Sequence, residues 1–203
     1  MTPTELAILA PNAAIEAMYA AFTEVNQHNW AALSVPPFWV KKLRRDMGAD
    51  HPTVLATVVG YPFGFQRTEA KQTETEWALK DGANEIQVVL NTSAWFSNSN
   101  GWPKIELAKL GKLIHQQEAL FTVIIESTFF DEENFAAAAK VAADAGADFI
   151  QNGTGLFVNG LDLEAIKKQK LAVSSGLGFK IVAREIDLED LPEMGIERVV
   201  VGR

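Results

Sequence analysis

The sequence contains no cysteine. Disulfide bonds, thiol nucleophiles and thiolate metal ligands are therefore all excluded. Basic residues are also scarce, since 18 Lys and Arg stand against 26 Asp and Glu and give a formal net charge of −8. A protein of that charge has little affinity for phosphate backbones, so we do not expect nucleic acid as a partner.

Long apolar runs and charged leader segments are missing as well. No run approaches the ~18 residues that a membrane span requires. The first twenty residues contain Glu5 and Glu16 but no Lys or Arg, unlike the start of a signal peptide. We therefore expect a cytoplasmic protein with no membrane association. The histidines, His28, His51 and His115, show no metal-ligand spacing, so neither a metal nor another cofactor is predicted.

Short apolar runs alternate with longer amphipathic stretches along all 203 residues, which predicts one α/β domain spanning residues 1–203. The predicted strands are 6–10, 30–35, 53–60, 85–91, 120–127, 148–153, 177–183 and 197–202. The predicted helices are 12–27, 37–47, 67–81, 102–117, 131–144, 162–172 and 187–194. Eight strands joined by helices are typical of a TIM (β/α)8 barrel. A doubly wound open sheet is the alternative, but no G-x-G-x-x-G follows the first strand.

The end of the sequence leads to a prediction about assembly. The chain stops at Arg203, directly after the eighth predicted strand, so we expect a compact barrel that lacks the last outer helix. An uncovered apolar strip on strands eight and one would need another subunit to cover it. We therefore predict a homo-oligomer.

The seventh strand carries the first candidate for chemistry. Side chains alternate along a strand, so Lys180 and Arg184 point into the barrel on the same face, with Arg184 near its mouth. Burial disfavours the charged form of a lysine, which makes Lys180 a candidate Schiff-base nucleophile. The alternative is that Lys180 only forms an ion pair with Glu126 at the end of strand five. Glu126 itself is a candidate general base or an acceptor for nearby backbone amides.

Two segments resemble a known family. They are "TVVGYPFGFQRTEAKQTETEWALKDGANEIQVVLN" (57–91) and "VIIESTFFDEENFAAAAKVAADAGADFIQNGTG" (123–155). In motif content and order they are similar to the deoxyribose-phosphate aldolases, and the resemblance covers roughly residues 30–202. It implies a barrel that cleaves 2-deoxyribose 5-phosphate to acetaldehyde and glyceraldehyde 3-phosphate through a lysine Schiff base, without a metal.

The resemblance also marks departures. The family's Schiff-base lysine maps to Gln151, and its strand-four aspartate, which helps proton transfer, maps to Gln87. An amide nitrogen is delocalised into its carbonyl and cannot form an imine. The family's second lysine is kept as Lys180, whereas Ala183 and Arg184 replace a Gly-Gly pair that holds phosphate. We therefore do not expect ordinary aldolase activity.

Three functions follow as hypotheses. In the first, the barrel binds a small molecule, such as an aldehyde or a sugar-like ligand, without aldol chemistry, and Asn152, Thr154 and Gly155 shape its pocket. In the second, a divergent aldolase or lyase uses Lys180 as the amine, Glu126 to transfer protons and Arg184 to hold an acidic or unphosphorylated substrate. In the third, the uncapped strands dock another protein.

Overall fold

Eight parallel strands, in chain order, close into a barrel in which β1 pairs with both β2 and β8. The computed structural model describes residues 2–97, 101–157, 162–183 and 194–202. The strands are β1 (Thr4–Ala7), β2 (Ala32–Val35), β3 (Val54–Val59), β4 (Glu85–Val89), β5 (Leu120–Ile124), β6 (Phe149–Gln151), β7 (Gly178–Ala183) and β8 (Arg198–Gly202). The predicted barrel is thus confirmed, with β1 starting two residues earlier than expected.

Helices surround the strands on the outside. They are α1 (Ile15–His28), α2 (Pro37–Met47), α3 (Thr68–Lys80), α4 (Thr92–Phe96), α5 (Gly101–His115), α6 (Glu132–Asp144) and α7 (Leu163–Ala172), with a turn of 3-10 helix at Ser127–Phe129. The short α4 was not predicted. The helix predicted over 187–194 lies outside the described residues except for position 194. None of the described helices has the length and apolar character to cross a bilayer.

Local signals explain where two of these helices begin. Asp131 accepts a hydrogen bond from the backbone N–H of Asn134 at the start of α6. Asp162 accepts from the backbone N–H groups of Glu164 and Ala165 at the start of α7. Each carboxylate satisfies donors that have no partner within the first turn, which fixes the point where the chain turns from loop to helix.

The main apolar core lies between the strands and the helices. On β7, Phe179 and Ile181 belong to this core, whereas Lys180 faces charged groups inside the barrel and Val182 packs in a separate cluster at its mouth. The alternation predicted for this strand is therefore confirmed over its described residues.

The bare apolar strip expected on strands eight and one is not found in the described residues. Leu6 of β1 and Val199 of β8 are both 0% exposed. They belong to the main core cluster together with Met18 of α1 and Ile196, which leads into β8. The expectation was wrong because these two outward side chains are already buried in the core of one chain, so the strip gives no reason for an oligomer.

Candidate functional site

The amino-terminal half of the barrel interior contains two acids and two bases, which we call the charged layer: Glu5, Glu85, Lys180 and Arg198. Lys180 Nζ lies 2.9 Å from Glu5 Oε2 and also pairs with Glu85. Arg198 Nη1 lies 2.6 Å from Glu85 Oε2 and 3.2 Å from Glu5 Oε2. All four side chains are buried. Their formal charges cancel, so this layer is neutral as a unit.

Neutral side chains complete the charged layer. Gln87 Nε2 donates to Glu5 Oε1 at 2.6 Å and to Glu85 Oε1 at 3.0 Å, while Gln87 Oε1 accepts from Ser34 Oγ at 3.1 Å. The hydroxyl of Thr122 donates to Glu85 Oε1 at 2.8 Å. Both the donor and the acceptor of the Gln87 amide are therefore used in hydrogen bonds within the barrel.

The ionisation of Glu85 follows from its neighbours. Burial alone would raise the pKa of this carboxyl, but the positive charges of Lys180 and Arg198 outweigh burial and lower the pKa to about 2. The ring of Phe149 lies under both cations, 4.9 Å from Lys180 Nζ and 4.8 Å from the Arg198 guanidinium carbon. An aldehyde has no route to Lys180 Nζ that does not displace these groups, since this side chain has no exposed surface.

The predicted ion pair between Lys180 and Glu126 is wrong. Lys180 is in register with Gln151 of β6, but its amine reaches toward the amino-terminal ends of the strands, where Glu5 and Glu85 lie. Glu126 lies beyond the opposite end of β5. Its Oε2 accepts from the backbone N–H of Thr154 at 2.8 Å and from the Thr154 hydroxyl at 2.6 Å. The prediction that Glu126 accepts a nearby backbone amide is confirmed.

Above the charged layer, at the carboxyl ends of the strands, lies a cavity of about 280 Å³ that we call the mouth pocket. Gln87 and Gln151 form part of it, and much of the remainder is apolar, including Leu9, Val182 and Val200. Gln151 Nε2 donates to the carbonyl of Gly153 at 2.8 Å. Gln151 Oε1 is buried and has no hydrogen-bond partner among the described residues. This pocket therefore presents one unused acceptor.

The loop after β6 is where the sequence placed it. Asn152 Oδ1 accepts from the backbone N–H of Val182 at 2.9 Å, which ties the loop to β7. Thr154 and Gly155 line the mouth pocket. Arg184, predicted near the mouth, lies outside the described residues.

The position of every lysine is known, because all lysines of the sequence fall within the described ranges. Apart from Lys71 and Lys180, they lie on the outer helices α2, α3, α5, α6 and α7. Lys71 on α3 is buried, with its Nζ 2.6 Å from Glu106 Oε1 and donating to the carbonyl of Val89 at 2.8 Å. Burial lowers the pKa of Lys71, and the charge of Glu106 opposes that effect. No lysine lines the mouth pocket.

The sequence reasoning missed Glu5, Glu85 and Arg198. The predicted first strand began at residue 6 and so left Glu5 outside the barrel. The alternation that places Gln87 inside the barrel would also have placed Glu85 there, two residues earlier on β4. Within the described ranges, no three His, Asp or Glu side chains are grouped so that they could hold a metal ion.

Comparison with known proteins agrees with this architecture. The sequence model of the DeoC/LacD family aldolases matches residues 5–175. A deoxyribose-phosphate aldolase of Bacillus mycoides is 30% identical over 195 residues, covering 95% of this chain and 86% of that protein. One from Thermococcus kodakarensis is 32% identical over 175 residues, covering 85% and 77%.

Solved structures lead to the same result. The aldolase QR15 superimposes with a TM-score of 0.88 at 27% identity, covering 97% of this chain and 88% of that one. The deoxyribose-phosphate aldolase of Aeropyrum pernix, described as a tetramer, shares the fold with a TM-score of 0.86 at 22% identity, covering 98% and 84%. The chain described here belongs to the DeoC/LacD family aldolases.

Proposed function

We propose that this aldolase-family barrel binds a small, uncharged, hydroxyl-bearing molecule at its mouth and forms no Schiff base with it. One observation carries the proposal: Gln151 lies in the mouth pocket with an acceptor that no described residue uses, and no lysine lines that pocket. A buried acceptor without a partner is costly, and a ligand hydroxyl would satisfy it.

The family resemblance supports the same reading. Imine formation requires an amine, and the family's lysine maps to Gln151, whose amide nitrogen cannot add to an aldehyde. The family's acid maps to Gln87, whose amide is already hydrogen-bonded to Ser34, Glu5 and Glu85. Among its described lining residues the mouth pocket has no charged side chain to hold a phosphate. An aldehyde or sugar-like ligand without phosphate fits this lining better than a sugar phosphate.

The alternative, a divergent aldolase or lyase with Lys180 as its amine, has less support. Lys180 is buried beneath the mouth pocket, between two carboxylates that bind its donors. Imine formation requires the neutral amine, so Lys180 would first have to lose its proton and leave Glu5 and Glu85 with Arg198 as the remaining cation in the charged layer, which is costly in a buried site.

Assembly and location remain predictions. The tetrameric relative from Aeropyrum pernix supports a homo-oligomer, and sedimentation velocity of the purified chain tests it: a monomer at all concentrations would refute it. A cytoplasmic location, without membrane or nucleic-acid partners, is expected for the reasons of charge and composition given above.

Imine trapping tests the central claim. The protein is incubated with acetaldehyde and borohydride, and its intact mass is measured, with the Thermococcus kodakarensis relative in parallel as a reference. We expect no mass increase for this chain at a dose that modifies the relative. A stoichiometric adduct that peptide mapping places on Lys180 would overturn the proposal in favour of the divergent aldolase. Mapping is preferable to a Lys180 variant, which is expected to be strongly destabilised.

Ligand binding tests the other half. Small uncharged polyols and hydroxyaldehydes are screened by saturation-transfer NMR against the native protein and Gln151→Leu. We expect at least one compound that binds the native protein and loses binding in Gln151→Leu but not in Gln116→Leu, a control on the surface. If every compound that binds the native protein also binds Gln151→Leu unchanged, the proposed site at the mouth is contradicted.

A further inference from the structure

Beside the mouth pocket lies a more open groove of about 570 Å³. Its walls are largely phenylalanine rings, and we call it the phenylalanine groove: Phe63, Phe65, Phe96, Phe129 and Phe157. The rings come from the segments that follow four consecutive strands, β3, β4, β5 and β6. In enzymes with this architecture, the connections at this end of the barrel carry the functional residues. Four of them form one apolar surface here, which indicates a binding site.

Four of the rings form a continuous wall. Phe63 stacks on Phe65 with centroids 5.4 Å apart, and it also lies 6.0 Å from Phe157. Phe157 in turn meets Phe129 edge to face at 5.2 Å. Phe65 is 63% exposed and Phe129 51%, although rings of this size are normally covered. Contiguous apolar surface left open in this way marks a binding site.

A tight backbone approach holds one side of the groove. Gly64, between Phe63 and Phe65, has φ +69°, and a Cβ there would lie 2.4 Å from the carbonyl oxygen of Leu90. Because only glycine fits that approach, the loop is held closely against the end of β4. The ring pair is therefore positioned before any ligand arrives.

One charge faces this wall. Glu126 is the only charged residue among the described residues that line the groove. Its hydrogen bonds come from neutral groups: two from Thr154 to Oε2, and one from the Thr128 hydroxyl to Oε1 at 3.1 Å. Within the described part of the chain it forms no ion pair. A carboxylate oxygen has room for about two donors, so Oε1 keeps acceptor capacity.

We propose that the phenylalanine groove binds an organic cation, an ammonium or substituted ammonium carried on an apolar group. Aromatic faces attract such cations, and Glu126 supplies the opposite charge at a point with no protein cation among its described neighbours. The net charge of −8 also favours approach of a cation over an anion. This site is separate from the mouth pocket, and the proposal does not rest on the proposed function.

The test uses three soluble probes that share a benzyl group. Benzyltrimethylammonium is the cation, phenylmethanesulfonate an anion of similar size and benzyl alcohol the neutral reference. Binding to the full-length protein is measured by isothermal titration calorimetry and by chemical-shift changes of the phenylalanine ring protons. We expect the cation to bind at least about tenfold more tightly than the anion. Equal affinity for cation and anion, or no measurable binding of the cation, would refute the proposal.

Variants locate the binding. Phe129→Ala removes an exposed ring and should weaken the cation by about threefold, whereas Phe38→Ala, an exposed ring on α2, should not change it. Glu126→Gln keeps the shape of the side chain and should reduce the preference for cation over anion to near unity, with Glu133→Gln on the surface of α6 as its control. If the circular dichroism spectrum shows that Glu126→Gln alters the fold, a second measurement replaces this variant. The affinity of the native protein for the cation is then measured at increasing salt concentration. Affinity that ignores ionic strength would then overturn the proposal.

Discussion

The two halves of the barrel interior treat polar groups in opposite ways. In the charged layer, Glu5, Glu85, Lys180 and Arg198 pair with one another, and Gln87 uses both its donor and its acceptor on them and Ser34. At the mouth, Gln151 has neutral and apolar neighbours, and its acceptor has no partner among the residues that the structure describes.

The difference separates stability from binding. A buried charge contributes to stability only while its partners are in place, so the charged layer tolerates little change. Gln151 at the mouth donates one hydrogen bond, to the carbonyl of Gly153, so altering this side chain should cost little stability. Glutamine thus has different consequences at 87 and at 151, although the family resemblance maps a catalytic group to each of these positions.

The largest effect is expected from Lys180→Met. This change leaves two buried carboxylates with Arg198 as their remaining cation, and should lower the free energy of unfolding by about 4 kcal/mol. Urea denaturation followed by circular dichroism measures it. Lys140→Met, an exposed position on α6, is the control and should stay within about 0.5 kcal/mol. An equally stable Lys180→Met would mean that the charged layer does not hold the barrel.

Acid should weaken the charged layer next. The pKa of Glu85 is about 2 in the folded protein against 4.5 for the ordinary group. Its stabilisation is therefore complete above pH 4.5 and is lost as the pH falls toward 2, a loss of up to about 3 kcal/mol. Unfolding free energies measured from pH 6 to pH 2 should show this slope. Glu85→Gln should flatten the slope, and Glu133→Gln on the surface should retain it.

Gln87→Asp is expected to cost about 2 kcal/mol. The substitution removes the donor shared by Glu5 and Glu85 and adds a third acid beside them. Thermal unfolding at pH 7 measures the loss, and it should shrink at lower pH as the new acid becomes protonated. A Gln87→Asp protein as stable as the native one would show that the layer accepts more negative charge. Gln151→Lys alone is therefore the cleaner way to restore a family residue.

Gln151→Leu should have the smallest effect, a change in unfolding free energy below about 1 kcal/mol in either direction. It gives up one hydrogen bond, to the Gly153 carbonyl, and removes an acceptor that was unsatisfied. Urea denaturation of Gln151→Leu and Gln87→Leu in parallel compares the two losses of unfolding free energy directly. Equal losses at the two positions would contradict the division between the halves of the barrel.

The barrel itself could be predicted because local patterns determine it. Apolar runs such as 120–124 are long enough for a strand, and Asp131 marks a helix start through its own side chain. Alternation along β7 was sufficient to place Lys180 inside the barrel. Each of these inferences uses neighbours in the sequence.

The partners of Lys180 could not be predicted in that way. Glu5 lies 175 positions away and Glu85 lies 95 positions away. They meet Lys180 only because the closed barrel brings β1, β4 and β7 around one interior. Glu126 was the nearer acid in sequence and the wrong choice, because its side chain lies at the other end of the strands. Height along the barrel axis, which sequence spacing does not give, decided the pairing.

The phenylalanine groove has a consequence for how this protein can change. Each of its walls belongs to a different connection, and each connection is anchored to its own strand. Replacing one connection would change the side chains on one wall of the groove. It would leave the charged layer, which lies toward the other end of the barrel, unchanged. The ligand selectivity of this surface can therefore be changed one loop at a time, by exchanging loops with related barrels. The stability of the barrel should not change when a loop is exchanged.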